Sequence, residues 1–316
     1  MGHAFSDFGS AIIAVSSDRV LRELMLRCGG QPDEVEAWPI KFLREYLASN
    51  ATSERALELA IRCTHRPTDL QQFLFNVYAR HFQDHNVRAV QDFRNLYERA
   101  ELIAVHVSCR PRLAWAVASA QTFRDHANLL HLFVVGQSSP GVPSTYGFDP
   151  AARTLTVPAP DTYEGLPQKV AAFARFLGFA GNRSCIMKLD DDVSCGQTFD
   201  PNPLVELTRS HDYMGLVIDA ADYGTHRWHH FGKCQDPAID QSPYSMVADC
   251  RYANGPAYFL SPTALTILAK ASVYLCQTFR FEYYEDLSVG KVLRSFGIVP
   301  HHFDAFAANN LVLSVL

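Results

Sequence analysis

The sequence predicts an α/β domain over residues 101–316, a mostly parallel sheet with helices on both faces, preceded by an all-helical region over residues 1–100. Three observations lead there. The chain changes character near residue 100, from helical periodicity with almost no strand signal to alternating strand-like and helical runs. Several of those runs are continuous and apolar, the pattern of strands buried on both faces of a parallel sheet. One of them, Ser184-Cys-Ile-Met-Lys-Leu-Asp-Asp-Asp-Val193, stops abruptly in three consecutive carboxylates.

Element by element, the first hundred residues carry helical stripes such as Val20-Leu21-Leu24-Met25, Ile40-Leu43-Tyr46-Leu47 and Phe73-Phe75-Val77-Tyr78. Breaks fall at Gly29-Gly30-Gln31-Pro32, Trp38-Pro39 and Arg66-Pro67, and Thr52-Ser53 offers a cap. Together they read as a helical bundle that serves a protein partner or an oligomer contact. His65, His81 and His85 read as surface histidines rather than ligands, since no carboxylate motif accompanies them.

Leu102 to Val107 reads as a buried strand, Arg112 to Thr122 as a helix, and Leu130 to Gly136 as the next strand. In Asp161-Thr-Tyr-Glu-Gly-Leu-Pro-Gln-Lys169 the Asp161/Glu164 pair imitates a capping box, but Pro167 would then lie inside the helix, where its ring clashes. A helix starting near Pro167 removes the conflict; it leaves Asp161 and Tyr163 in the preceding loop and lines Val170, Phe173 and Leu177 along the buried stripe. A loop Asn254-Gly255-Pro256 leads into a strand Ala257 to Leu260, after which Ser261-Pro262 opens a helix. Glu285 and Asp286 precede the periodic run Val289, Val292, Leu293 and Phe296, which Gly297 closes.

Composition narrows the function classes. Hydrophobic content of 48% and charged content of 19% are ordinary globular values, and a net charge of −5 leaves no electrostatic footprint for nucleic acid. No run of about 18 apolar residues is present to form an integral membrane segment. The chain therefore reads as soluble and cytoplasmic, a reading that leaves room for peripheral membrane association. Eight cysteines are scattered without a C-x-x-C pair, which gives a structural zinc site no support. Cys234 and Cys250 share a loop-rich region and would bridge only in an oxidising compartment.

The carboxylates carry the chemistry. At an effective dielectric of about 20, like charges roughly 5 Å apart repel by about 3 kcal/mol, so Asp190, Asp191 and Asp192 call for a cation nearby. Oxygen-only ligands with room for waters and phosphates suit Mn²⁺ or Mg²⁺ better than zinc, against the plain alternative of a solvated acidic turn. Ligands in open α/β sheets bind beyond the carboxyl ends of the strands, where this triplet falls. Glu285 and Asp286 follow three aromatics. Helix-dipole stabilisation accounts for one acid there; two suggest a partly desolvated cleft in which a base is tuned upward.

In order along the chain stand Asp-x-Tyr-x-x-Leu-x-x-Lys (Asp161 to Lys169), Lys-x-Asp-Asp-Asp-Val (Lys188 to Val193), Gly-x-x-Tyr-x-x-Ser (Gly255 to Ser261) and Glu-Asp-x-x-x-Gly (Glu285 to Gly290). Each is weak alone; the four in this order resemble the Fringe and β-1,3-galactosyltransferase family of inverting glycosyltransferases. The resemblance runs from about Leu102 to Phe306, roughly two thirds of the chain. It implies a GT-A fold with a DxD metal site. By position it implies that Asp192 ligates Mn²⁺, with Asp190 or Asp191 reaching the ribose and donor sugar. Lys188, Asp161, Lys169 and Arg110 or Arg112 fall near the nucleotide. Asp286 is similar to the family's base, with Glu285 as the alternative, and His301 or His302 matches a late metal-binding histidine.

The expected reaction moves a hexose or N-acetylhexosamine from a UDP-sugar to the hydroxyl of a glycan or glycoconjugate acceptor. A divalent cation would serve departure of the nucleotide diphosphate, and one carboxylate would deprotonate the attacking hydroxyl. Trp228, Tyr252, Tyr283 and Tyr284 are candidate sugar platforms, Gly255 a point of close approach, and His229 or His230 hydroxyl partners. Two other classes compete: a metal-dependent phosphoesterase, which would release phosphate from simple esters, and a non-catalytic nucleotide-sugar-binding module. Golgi members of the family carry a membrane anchor, whereas this sequence is compatible with a bacterial or viral enzyme that elaborates a surface glycan.

Overall fold

The computed structural model of the chain describes residues 69–123, 129–137, 145–196, 199–222, 225–227, 229–245, 250–274, 278–279, 282–309 and 311–313. The chain divides into two compact units, Met1–His85 and Asn86–Leu316. In the first, helix α1 (Asp69–His85) includes the stripe expected around Phe75 and Tyr78. The rest of the expected N-terminal bundle, with His65, lies outside the described residues.

The second unit opens with α2 (Val87–Tyr97), which lies before the boundary expected near residue 100. Ala89, Val90, Phe93 and Tyr97 fall on one face and are buried. Phe93 meets Phe148 and Phe176 edge-on at 5.9 and 5.5 Å, and the Tyr97 hydroxyl donates to the His131 carbonyl at 2.6 Å. Next come β1 (Leu102–Val107), a 3-10 turn at Arg110–Arg112, α3 (Leu113–Ala120), β2 (Leu129–Gln137), β3 (Gly147–Asp149) and β4 (Thr154–Pro160). Helix α4 (Leu166–Phe179) starts one residue before Pro167, and its Val170, Phe173 and Leu177 are fully buried. Strand β5 (Cys185–Asp190) is followed by β6 (Val193–Cys195), α5 (Asn202–Ser210), β7 (Tyr213–Asp219), β8 (Thr225–His226), α6 (Pro237–Gln241) and β9 (Tyr244–Ser245). Strand β10 (Arg251–Leu260), α7 (Pro262–Tyr274), α8 (Glu285–Ser295), β11 (His301–His302), α9 (Ala305–Asn309) and β12 (Leu311–Leu313) complete the unit.

Eight strands form one sheet in the order β11-β7-β10-β5-β1-β2-β4-β3. Pairings β1–β2, β1–β5, β2–β4 and β11–β7 are parallel, while β10 runs antiparallel to both β5 and β7, and β3 antiparallel to β4. Because β10 reverses direction between β7 and β5, its first residues reach the same rim as the last residues of β1, β5, β4 and β7. The structure corrects one expectation here. Asn254-Gly255-Pro256 is not a loop before a short strand; it lies inside β10, at a bulge where Ala253 to Tyr258 spans five steps against two, Val217 to Gly215, on β7.

Helix ends follow the sequence. The Ser261 hydroxyl accepts from the Ala264 amide at 3.1 Å and caps α7. Gly297, at φ 78°, closes α8: its amide donates to the Arg294 carbonyl and that of Ile298 to Leu293, the paired bonds of a left-handed C-terminal cap.

Candidate active site

The rim at the carboxyl ends of β1, β4 and β5 gathers most of the expected residues. Asp190 ends β5, Asp191 and Asp192 form the turn, and the chain re-enters a strand at Val193. Protein cations answer much of the triplet's mutual repulsion. Arg112 places Nη2 2.7 Å from Asp191 Oδ1 and 3.8 Å from Asp192 Oδ2, with its guanidinium 4.8 Å from the centre of the Trp115 ring. Ser108, just past the end of β1, donates to Asp191 Oδ2 at 2.8 Å. Lys188 Nζ lies 2.6 Å from Asp190 Oδ1. Burial raises the Asp191 carboxyl to about 6, with Ser108 and Arg112 pulling the other way. Burial, then the charge of Asp190, raises Asp192.

Lys188 has no exposed surface and bonds Asp190 Oδ1 at 2.6 Å, the Gly255 carbonyl at 2.7 Å and Glu285 Oε1 at 2.5 Å. An ammonium has three N–H donors, so all are engaged. Burial alone would lower its pKa, but the charges of Asp190 and Glu285 outweigh that and hold it above the ordinary lysine range. Expected near the nucleotide, Lys188 instead lies beneath the rim.

The two acids of α8 differ sharply. Glu285 is buried, with Oε1 on Lys188 and Oε2 accepting from the Tyr258 hydroxyl at 3.0 Å. Burial pushes its carboxyl up to about 7 against the opposing pull of Lys188. Asp286 accepts the Gly255 amide on Oδ2 at 2.9 Å and the Leu287 amide on Oδ1 at 2.8 Å. Burial raises it to about 6, while those two amides and Lys188 moderate the rise. The bulge of β10 thus turns the Gly255 amide to Asp286 and the Gly255 carbonyl to Lys188, the ammonium that also binds Glu285. A Cβ at Gly255 would stand 3.2 Å from Asp286 Oδ2 and 3.4 Å from Glu285 Oε1, tighter than side chains normally pack.

Asp161 and Lys169 form a buried bracket. Asp161 accepts from the Gly136 amide at 2.7 Å and the Arg110 amide at 2.7 Å, and pairs with Lys169 at 3.0 Å. Lys169 also donates to the Ser108 carbonyl at 2.6 Å. Its contacts tie together the ends of β1, β2, β4 and the first turn of α4. Arg110 takes part through its backbone.

A loop stands beside the α8 acids. His230 Nε2 lies 2.9 Å from the Ser242 carbonyl and must donate there, so in the neutral ring Nδ1 accepts from the Tyr284 hydroxyl at 2.7 Å. The Tyr163 hydroxyl donates to the His229 carbonyl at 3.1 Å, and Glu164 accepts the Gln235 and Asp236 amides at 3.3 and 3.2 Å. Tyr244 and Tyr283 stack with ring centres 4.7 Å apart.

Not every expected residue joins. His301 and His302 are exposed on β11, three strands from β5, or about 14 Å at ordinary strand spacing. His301 stacks on His211 at 3.7 Å, and His302 Nδ1 accepts the Val217 amide at 3.4 Å; neither meets the triplet. Tyr252 and Tyr284 are buried in one cluster with Ala220, Cys250 and Leu287, which removes both as open sugar platforms. Cys234 is a free thiol, so the Cys234–Cys250 bridge is not formed. Trp228 lies outside the described residues.

Among the described residues no three His, Cys, Asp or Glu side chains converge as a ready metal cage. One observation nevertheless suits a hard cation: Asp192 Oδ1 is buried without a hydrogen-bond partner. Asp190 and Asp192 are oxygen ligands of the kind Mg²⁺ and Mn²⁺ take, with waters and phosphates filling the remaining positions. Sequence reasoning missed Ser108, whose signal was its place directly after a predicted strand, and Tyr258, which sat unassigned inside a recognised motif.

Comparison with known proteins adds the family. The Galactosyltransferase family profile matches residues 112–304, more than half of the 316-residue chain. None of the curated proteins compared with it matches. Among solved structures, the galactosyltransferase LgtC in complex with donor and acceptor sugar analogues is 14% identical at a TM-score of 0.36, covering 63% of this chain and 72% of that one. A putative glucose-1-phosphate thymidylyltransferase from Bacillus anthracis is 12% identical at 0.35, covering 65% and 89%. The 2-C-methyl-D-erythritol 4-phosphate cytidylyltransferase from Thermus thermophilus is 15% identical at 0.31, covering 64% and 87%. The profile match spans α3 through β11, with the carboxylate triplet, the β10 bulge and both α8 acids inside it, so this chain belongs to the galactosyltransferase family and is a glycosyltransferase.

Proposed function

We propose that the protein is an inverting glycosyltransferase that moves a hexose or N-acetylhexosamine from a UDP-sugar to a hydroxyl of a glycan acceptor, with Asp286 as the base. The observation that carries this reading is the setting of Asp286. Two backbone amides fix its carboxylate beside a buried ammonium that also binds Asp190, and burial raises it to about 6, where it is ionised at neutral pH yet basic enough to accept a hydroxyl proton. Glu285 suits the role less well, as it is buried and ion-paired with Lys188, whereas Asp286 is only half-buried and bonded to neutral amides.

Asp190 and Asp192 would hold Mn²⁺ or Mg²⁺. Such an ion supplies Lewis-acid relief of the charge that develops on a nucleotide diphosphate leaving group. Around it the chain's own residues orient and exclude. Arg112 and Ser108 fix Asp191, the Asp161–Lys169 bracket sets the loop after β1 against the end of β4, and Asp286 takes the proton from the attacking hydroxyl on the face opposite the departing nucleotide. Inversion follows from that single displacement. Lack of an open side chain on Tyr252 or Tyr284 moves the expected sugar contacts to the half-buried Tyr244–Tyr283 pair.

The test begins with UDP-galactose, UDP-N-acetylglucosamine and UDP-glucose, each with and without Mn²⁺, scored by stabilisation against thermal unfolding. A ligand at 100 times its dissociation constant adds about 2.7 kcal/mol. The donor that stabilises is then offered to a glycan acceptor panel, and the anomeric configuration of the product is read by NMR. Transfer with inversion supports the reading. Phosphate release from simple esters without sugar transfer, or a retained anomeric configuration, overturns it.

A further inference from the structure

We infer that Lys188 and Glu285 form a positioning clamp that sets the carboxylate of Asp286 through the backbone of Gly255, linking the donor side of the rim to the base; the inference rests on the reading of Asp286 as the base. Geometry makes the case. Lys188 grips the Gly255 carbonyl at 2.7 Å while the amide on the other side of the same Cα donates to Asp286 at 2.9 Å, so the ammonium holds the residue whose amide holds the base. The same ammonium reaches Asp190 on one side and Glu285 on the other. Glu285 is in turn braced by the Tyr258 hydroxyl, and the Lys188 ammonium lies 5.4 Å from the centre of the Tyr258 ring.

A rigid support is needed because Gly255 sits in a bulge. There the β10 ladder is interrupted between Ala253 and Tyr258, and β5 pairs only with Ala257 to Leu260. Gly255 has no ladder partner in either register, and the Lys188 ammonium and the Asp286 carboxylate take its carbonyl and amide instead. Glu285 is thereby a positioning residue, separated in role from its neighbour Asp286 although the two are adjacent in sequence.

The experiment separates positioning from mere stability. A buried ion pair replaced by apolar residues of similar volume is commonly neutral for folding, whereas removing one partner is not. The double variant Lys188→Met/Glu285→Met removes that pair together and should stay folded, with a thermal midpoint lowered by the bonds lost to Asp190, the Gly255 carbonyl and the Tyr258 hydroxyl. Its kcat, at saturating donor and acceptor, should fall about 30-fold or more with acceptor KM within threefold, since a displacement of about 1 Å at a reacting group costs about 100-fold. Tyr258→Phe removes only the brace and should lower kcat about threefold to tenfold; it serves if the double variant does not fold. Asp286→Asn is measured alongside.

A folded double variant with kcat within threefold of the parent, beside an inactive Asp286→Asn, overturns the clamp and leaves the base standing. A Tyr258→Phe variant with unchanged kcat, where the double variant is unfolded, overturns it as well. Near-normal turnover by Asp286→Asn overturns both readings. A slow but folded double variant with an inactive Asp286→Asn supports the clamp.

Discussion

The acids that end β5 and the acids that begin α8 share one ammonium, yet their surroundings differ. Asp191 and Asp192 lean on Arg112, a partly exposed cation, and one oxygen of Asp192 has no partner. Glu285 and Asp286 are bonded to a fully buried lysine, a buried tyrosine and two backbone amides. In the first group Asp190 and Asp192 are half-buried and an oxygen of Asp192 is left for an incoming cation. In the second Glu285 is buried, and the half-buried Asp286 is held by two amides in the fixed direction a proton acceptor needs. A difference of this kind tells more about division of labour than residue type does, since all five are carboxylates.

The comparison breaks most completely at Asp286. Asp286→Asn keeps the shape but puts an NH2, which cannot accept, in place of one oxygen, so it removes the basic carboxylate and leaves only one of the two bonds from backbone amides. We expect kcat to fall about 1,000-fold or more, within the range for loss of general-base catalysis, while UDP-sugar stabilisation against heat is unchanged. A loss of donor stabilisation would place Asp286 with the first group instead.

Asp192→Asn should act in the opposite manner. We expect about a 100-fold loss of kcat/KM together with loss of the Mn²⁺-dependent part of donor stabilisation. If Mn²⁺ still adds its full increment to the unfolding temperature of that variant, Asp192 is not a metal ligand.

A pH profile sharpens the contrast. Asp286 must be ionised to accept a proton, and burial lifts its carboxyl to about 6. Its active fraction therefore drops about tenfold for each pH unit below that value and is complete above it. The kcat/KM measured from pH 4.5 to 8 should show a limb of unit slope at its acid end; a flat profile across that range removes Asp286 from the reaction.

The smallest change is Gly255→Ala. Its methyl would press on both α8 acids, at 3.2 and 3.4 Å, and should cost a few-fold in kcat with little change in donor KM. Wild-type kcat in this variant would mean the bulge can yield without disturbing the base.

Much of this architecture is legible in the sequence because it is local. Continuous apolar runs mark β1, β2 and β5, Pro167 fixes where α4 can begin, and Ser261 with Pro262 marks the start of α7. The candidate acids are legible for the same reason, as motifs within a few residues. What stays hidden depends on pairing. Read alone, Gly255-Pro256 says turn, and only the opposing strand β7 makes it a bulge inside a strand. The His301-His302 pair invites a metal role until the strand order sets it at the sheet's far edge. Lys188 looks like any cation near phosphates, and only its three partners, from β5, β10 and α8, reveal it as internal scaffolding.

One consequence of the β10 bulge concerns how this chain can vary. Past Tyr258 the strand returns to strict alternation against β5 and β7, with Tyr258 and Leu260 on one side and Phe259 on the other. Inserting or deleting a single residue between Ala253 and Tyr258 would turn that whole segment over, exchanging its two buried faces and taking Tyr258 away from Glu285. Homologous chains should therefore differ freely in length elsewhere while this short stretch keeps a constant count.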